Sequence, residues 1–256
     1  MTVTAAAARS SPRKVIFASA IGTAVEWYDF LLYGTAAALV FNKVFFPNSD
    51  PLTGTMFAFS TYAVGFMARP FGGIIFGHFG DRIGRKKLLT LSLLLTGSAT
   101  FLIGCLPTFN QVGVAAPAML VALRLVQGFG LGGEWGGAIL MSAEYGTASR
   151  RGFWTGLTQA GGGFGNFLAT GVLAVLAATL SQDDFLTWGW RIPFLISFVL
   201  IGIGLWVRVS LDESPVFEEA LAKAQGQAHR APVLETLRTR PGKVVLGGAL
   251  KIGENI

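Results

Sequence analysis

Four ionisable residues, Glu26, Asp29, Arg124 and Glu134, stand inside stretches that are otherwise apolar. A charge near the middle of a lipid bilayer costs about 3 kcal/mol or more, so such side chains face a protein interior or a cavity and carry function. Glu26 and Asp29 are three residues apart and Tyr33 follows four later, which puts all three on one helical face. Arg124 and Gln127 are likewise three apart, with Glu134 seven residues beyond Gln127. Two polar stripes on two helices are expected.

A guanidinium grips a carboxylate through two parallel N–H bonds. Burial favours the neutral form of a carboxyl group, so an acid in such a place can take up and release a proton. Two arrangements satisfy these residues: a buried structural ion pair, or a water-filled cavity that binds an anion and exchanges protons. Pairing alone does not account for Tyr33 and Gln127 beside the charges, nor for acids outnumbering the base.

Helices must position these groups. A membrane-crossing helix needs about 20 mostly apolar residues, and six segments qualify, at 15–40, 53–76, 88–106, 115–140, 153–179 and 190–210. At about 1.5 Å per residue, Glu26 and Asp29 lie roughly 17 and 21 Å in from Val15, and Arg124 roughly 14 Å in from Ala115. In a hydrocarbon core about 30 Å thick the acids and the base share a depth.

The composition agrees with a membrane protein: 52% of residues are hydrophobic and 13% charged, against about 25% charged in soluble domains. The net charge of +6 sits in short loops rather than in a patch on a soluble domain, so no nucleic-acid partner is expected. The single cysteine, Cys105, excludes an internal disulfide and a multi-cysteine metal site, and reads as a packing residue. With His78 and His229 the only histidines, both in or beside loops, no metal, no cofactor and no membrane-embedded enzyme is expected. The basic N-terminus resembles a secretory leader, but the apolar run after it is too long and holds Glu26 and Asp29, so a retained first span is expected.

The most charged turn runs from Gly77 to Lys87 between two long apolar segments. If it faces the cytoplasm, fifteen Lys and Arg residues lie inside, Arg208 among them, and two, Lys43 and Arg191, lie outside. That asymmetry predicts a cytoplasmic N-terminus in the plasma membrane. Arg69, nearer the end of its span, is expected to snorkel. The expected organisation is a cytoplasmic tail at 1–14, a six-helix bundle at 15–210, a cytoplasmic linker at 211–243 and the truncated start of a seventh span at 244–256. Glycines recur every fourth residue at Gly128, Gly132 and Gly136, at Gly73 and Gly77, and at Gly161 and Gly165. This spacing serves tight helix packing or surfaces that slide during a conformational cycle.

These motifs carry a resemblance. The run Gly77-x-x-Gly80-Asp81-Arg82-x-Gly84-Arg85-Lys86-Lys87 resembles the loop signature of the major facilitator superfamily between its second and third spans. Arg124-Leu125-Val126-Gln127-Gly128-Phe129-Gly130 is similar to its fourth-span signature. Gly22 to Phe30 and Gly189-Trp190-Arg191-Ile192-Pro193-Phe194 are similar to its metabolite:proton symporter branch. The resemblance implies an all-α membrane protein, here the six-helix N-terminal half of a twelve-span fold, whose partner would be the missing C-terminal half. It implies uptake of a small carboxylate or zwitterion together with protons, at the inner membrane. In that reading Asp29, with Glu26, couples to protons; Arg124 orients the substrate carboxylate; Gln127, Tyr33 and Glu134 line the cavity. Asp81 and Arg85 would belong to a cytoplasmic gate with Glu144 and Arg150 or Arg151, and Gly77, Gly80 and Gly84 would permit its tight turn. Export is the alternative, as is a non-transporting partner subunit or an inactive half; the fifth span reads Gly161-Gly162-Gly163-Phe164-Gly165-Asn166, without the proline of drug antiporters.

Overall fold

The computed structural model describes residues 12–83, 85–132 and 151–209, with single positions at 239 and 242; the side chains of 12–15, 80–83, 85 and 151 are not among them. Six long helices dominate: α1 (Pro12–Ala36), α2 (Pro51–Ile83), α3 (Arg85–Cys105), α4 (Ala115–Gly132), α5 (Arg151–Thr179) and α6 (Arg191–Val209). Among the described residues there is no strand. After α1 the chain stays helical, through a wider turn at Ala37–Phe41 and a final turn at Asn42–Phe45. α2 starts at Pro51, where a missing N–H costs nothing. Asp50 precedes it and accepts from the Thr53 N–H at 3.1 Å; hydrogen bonds from the Thr53 side chain and backbone hold its carboxyl group below the usual range.

The charged turn is shorter than its sequence implies. α2 runs to Ile83 and α3 begins at Arg85, so Gly77, His78 and Gly80 are helical. Gly77 was expected to permit a tight turn, yet it lies within α2, and no atom of another described element stands within 4 Å of where its Cβ would be. The helix's own hydrogen bonds carry the backbone through these glycines. Gly84, the third glycine of that motif, lies outside the described residues.

The helices pack in pairs: α1 along α5, α2 along α4, and α3 along α6. Backbone contact makes two of these pairs close. A Cβ on Gly128 would strike the carbonyl of Gly65, one on Gly132 the carbonyl of Arg69, and ones on Gly161 and Gly165 the carbonyls of Ala20 and Ala24. Small residues at such crossings replace the hydrophobic drive that lipid does not provide. These glycines make close packing contacts in this conformation, and Gly136 lies outside the described residues.

One end of the bundle is closed by aromatic rings. Trp190 is fully buried among Phe41, Phe45 and Phe194, with ring centres 5.7–5.9 Å apart, and the Tyr28 hydroxyl donates to the Pro193 carbonyl at 2.9 Å. Arg191 donates to the carbonyls of Gly104 and Leu106 at 2.8 and 2.6 Å, satisfying the open end of α3 where a cation is favoured. The Gly189–Phe194 motif is therefore a packing and capping device. Large side chains such as Met67, Phe167 and Trp206 point outward. Among the described residues four helical stretches, Lys86–Cys105, Ala115–Gly132, Gly152–Thr179 and Gln182–Val209, are long and apolar enough to cross a membrane. Cys105, expected to pack inside, is exposed at the end of α3.

Candidate functional site

Asp29 is turned towards α3 and α6. Its Oδ1 accepts from the Ser197 hydroxyl at 2.6 Å, and the Thr100 hydroxyl stands beside it. Its Oδ2 is buried without a hydrogen-bond partner among the described residues and faces Gly97, where an added Cβ would be 3.6 Å away. A bulkier residue at Gly97 would meet Ile201 first.

Arg124 reaches from α4 into the space between α1 and α2. One terminal nitrogen donates to Gln127 Oε1 and the other to the Tyr62 carbonyl at 3.3 Å. Its guanidinium carbon lies 4.0 Å from the centre of the Tyr33 ring, 4.9 Å from Tyr62 and 5.3 Å from Phe30. Aromatic faces attract a cation most strongly where water is excluded. Gly65 makes the room, since a Cβ there would come within 2.7 Å of the guanidinium. Among the described residues Arg124 Nε has no hydrogen-bond partner.

Gln127 joins the two neighbourhoods. Its amide donates to the Thr100 hydroxyl at 2.8 Å and to the Asp29 carbonyl at 3.4 Å, while its oxygen takes the bond from Arg124. Tyr33 shares a hydrogen bond with Thr61; because Thr61 donates to the Ala58 carbonyl at 2.6 Å, Tyr33 is the donor. Asp29, Tyr33, Arg124 and Gln127 are thus brought together as the spacing implies, but not as an ion pair: neutral groups hold the acid, and rings and amides hold the base. All four are at most 1% exposed and Glu26 is 6% exposed, so the conformation is closed over them rather than open as a water-filled cavity. Glu134, Gly84, Glu144 and Arg150 lie outside the described residues, as do the side chains of Asp81, Arg85 and Arg151.

Two arginines were missed as site residues. Arg208, counted with the loop charges, is buried on α6 with its guanidinium 3.0 Å from the Cβ position of Gly22. Arg69, partly buried, lies 4.0 Å over the Phe30 ring and 4.5 Å over Phe66. The two approach α1 on either side of Glu26 in sequence, Arg208 at Gly22 and Arg69 at Phe30. The signal was available for Arg208, which falls within the apolar run at 190–210 rather than beyond it.

A bundle with charge buried at its centre can now be set beside known proteins. The family model for sugar (and other) transporters matches residues 15–243. The chain belongs to this transporter family. Its relatives include the shikimate transporter of Escherichia coli (strain K12), 47% identical over 96% of this chain and 56% of that protein. The inner membrane metabolite transport protein YhjE of the same organism is 47% identical over 93% of this chain and 54% of the relative. The proline/betaine transporter of Salmonella typhimurium is 39% identical over 83% of this chain and 42% of that protein. The chain spans about half the length of the curated relatives it matches. In fold it resembles the major facilitator superfamily proton:xylose symporter XylE, with a TM-score of 0.73 and 19% identity over 84% of this chain and 47% of the other. This transporter-family chain is a multi-pass membrane protein with the N-terminal six-helix half of a major facilitator fold, and its relatives are transporters, not enzymes.

Proposed function

We propose that these helices form half of a proton-coupled carrier that takes up a small carboxylated or zwitterionic metabolite across a bacterial inner membrane, with the N-terminus in the cytoplasm. The observation that carries this reading is the buried Asp29 Oδ2, which has no hydrogen-bond partner among the described residues, on a residue whose backbone carbonyl Gln127 links to a buried arginine. A carboxyl group held by neutral hydroxyls loses no ion pair when it takes a proton. A guanidinium held by rings, the Gln127 amide and the Tyr62 carbonyl keeps donors for an incoming carboxylate. The relatives that carry shikimate and proline or betaine, an acid and zwitterions, are of the proposed substrate class.

In this scheme Asp29 binds the proton, Arg124 orients the substrate, and Gln127 and Tyr33 relay between them, with Glu134 lining the same space. A second six-helix half, joined through the linker at 211–243, completes the cavity. Asp81 and Arg85, with Glu144 and Arg150 or Arg151, form the cytoplasmic gate, and Gly77, Gly80 and Gly84 belong to its motif. Binding from alternate sides then follows from rocking of one half against the other. The test is Asp29→Asn in the full-length carrier in proteoliposomes. Accumulation driven by a proton gradient should be lost while counterflow exchange persists; undiminished accumulation refutes the assignment.

A further inference from the structure

Resting on the reading that Arg124 receives the substrate carboxylate, we infer that Arg69 on α2 receives a second acidic group, so that the site selects dicarboxylates over monocarboxylates and zwitterions. The two guanidinium groups share one ring. The guanidinium carbon of Arg69 lies 4.0 Å from the centre of the Phe30 ring and that of Arg124 lies 5.3 Å from it, so the separation of the two cations cannot exceed the sum of these distances. Two carboxylates joined by a few carbons span such a gap.

Aromatic rings hold Arg69 without using its donors. It rests on Phe30 and, at 4.5 Å, on Phe66; these rings and that of Tyr62, which bears on Arg124 at 4.9 Å, have centres 4.8–5.1 Å apart. A ring face attracts a cation through its quadrupole and leaves the N–H edges for other acceptors. Among the described residues the Nε of each arginine is buried without a hydrogen-bond partner, and the Nε edge is one that a carboxylate takes bidentately together with a terminal nitrogen. The two cations differ in depth. Arg124 is fully buried, whereas Arg69 is partly buried and its neighbour Phe66 is 43% exposed. An acid that reaches Arg124 past these rings leaves its trailing group beside Arg69. A second carboxylate there meets an unused fork, while the ammonium group of a zwitterion meets a like charge.

Glutarate and its monoamide, glutaramate, match in length and differ by one charge, so together they isolate the second acidic group. In thermal-shift titrations of the full-length carrier in detergent, glutarate should bind about tenfold more tightly than glutaramate, as one charge-assisted contact warrants. Arg69→Gln should bring the two within about twofold by weakening glutarate alone, and Arg69→Lys, which keeps the charge but not the fork, should retain part of the preference. A cation held for packing only would alter folded yield and leave that ratio unmoved. Glutarate bound no better than glutaramate by the parent carrier, or an unchanged ratio in Arg69→Gln, overturns the proposal. The comparison in the parent needs no variant, so it can still fail should Arg69→Gln not fold. In Arg124→Ala both probes should bind more weakly; if neither does, the reading of Arg124 falls, while the effect measured at position 69 stands.

Discussion

Asp29 and Arg124 are opposite charges at one depth, and their surroundings differ in kind. The acid is met by hydroxyls from α3 and α6 and an open buried oxygen. The base is met by three aromatic rings, a carbonyl and one glutamine. Had the two been paired, each would have spent its capacity on the other, and a buried pair is weak evidence for anything but itself. Kept apart by Gln127, each retains capacity for a partner from outside. Both neighbourhoods use glycine to make space, Gly65 beneath the guanidinium and Gly97 beside the carboxyl group.

The sharpest way to break this contrast is to remove the base. Arg124→Ala should lower initial uptake of a carboxylated substrate about a hundredfold or more, because several buried donors vanish from one place. Radiolabelled uptake into proteoliposomes measures it, and a variant within twofold of the parent would mean that Arg124 is structural only. On the acid's side, Ser197→Ala leaves Asp29 Oδ1 without its donor at 2.6 Å. A buried unpaired acceptor costs about 1–3 kcal/mol, hence roughly a tenfold fall in uptake. Dependence on the proton gradient should survive, since the proton-binding group remains. The smallest effect is expected from Gly65→Ala, which presses on the flexible end of Arg124 rather than on backbone. A few-fold rise in the substrate concentration for half-maximal uptake, with folded yield unchanged, would mark a displaced guanidinium. Gly128→Ala is its contrast: the same added methyl group meets the Gly65 carbonyl, and a loss of folded protein on gel filtration is expected.

Much of this was legible because the bilayer simplifies the code. Helices and their approximate spans follow from apolar length, and Glu26, Asp29 and Arg124 declare themselves as charges in oil. Three-residue spacing placed Arg124 beside Gln127, and the bond between them follows directly. The helical run through Gly77 to Ile83 was not legible, since the three glycines and four basic residues between Gly77 and Lys87 read as a turn while the hydrogen-bond ladder reads only the backbone. Arg208 was hidden by arithmetic of a different sort: near the end of a span a cation satisfies the orientation rule whether it points to water or inward.

The order of residues by itself determined that the chain crosses a membrane as helices, that polar groups recur on one face of the first and of the fourth, and that small residues mark where helices approach. Those follow from local spacing and from the energy of leaving charge in lipid. Which acid meets which base was decided only by the packing of α1 against α2, α3 and α6. Side-chain partners across helices depend on the rotation of each helix about its axis, and that rotation is set by glycine contacts such as Gly65 with Gly128, far apart in the chain. So of two carboxyl groups one turn apart, alike as a sequence pattern, Asp29 is the one shown to meet hydroxyls, those of Ser197 and Thr100.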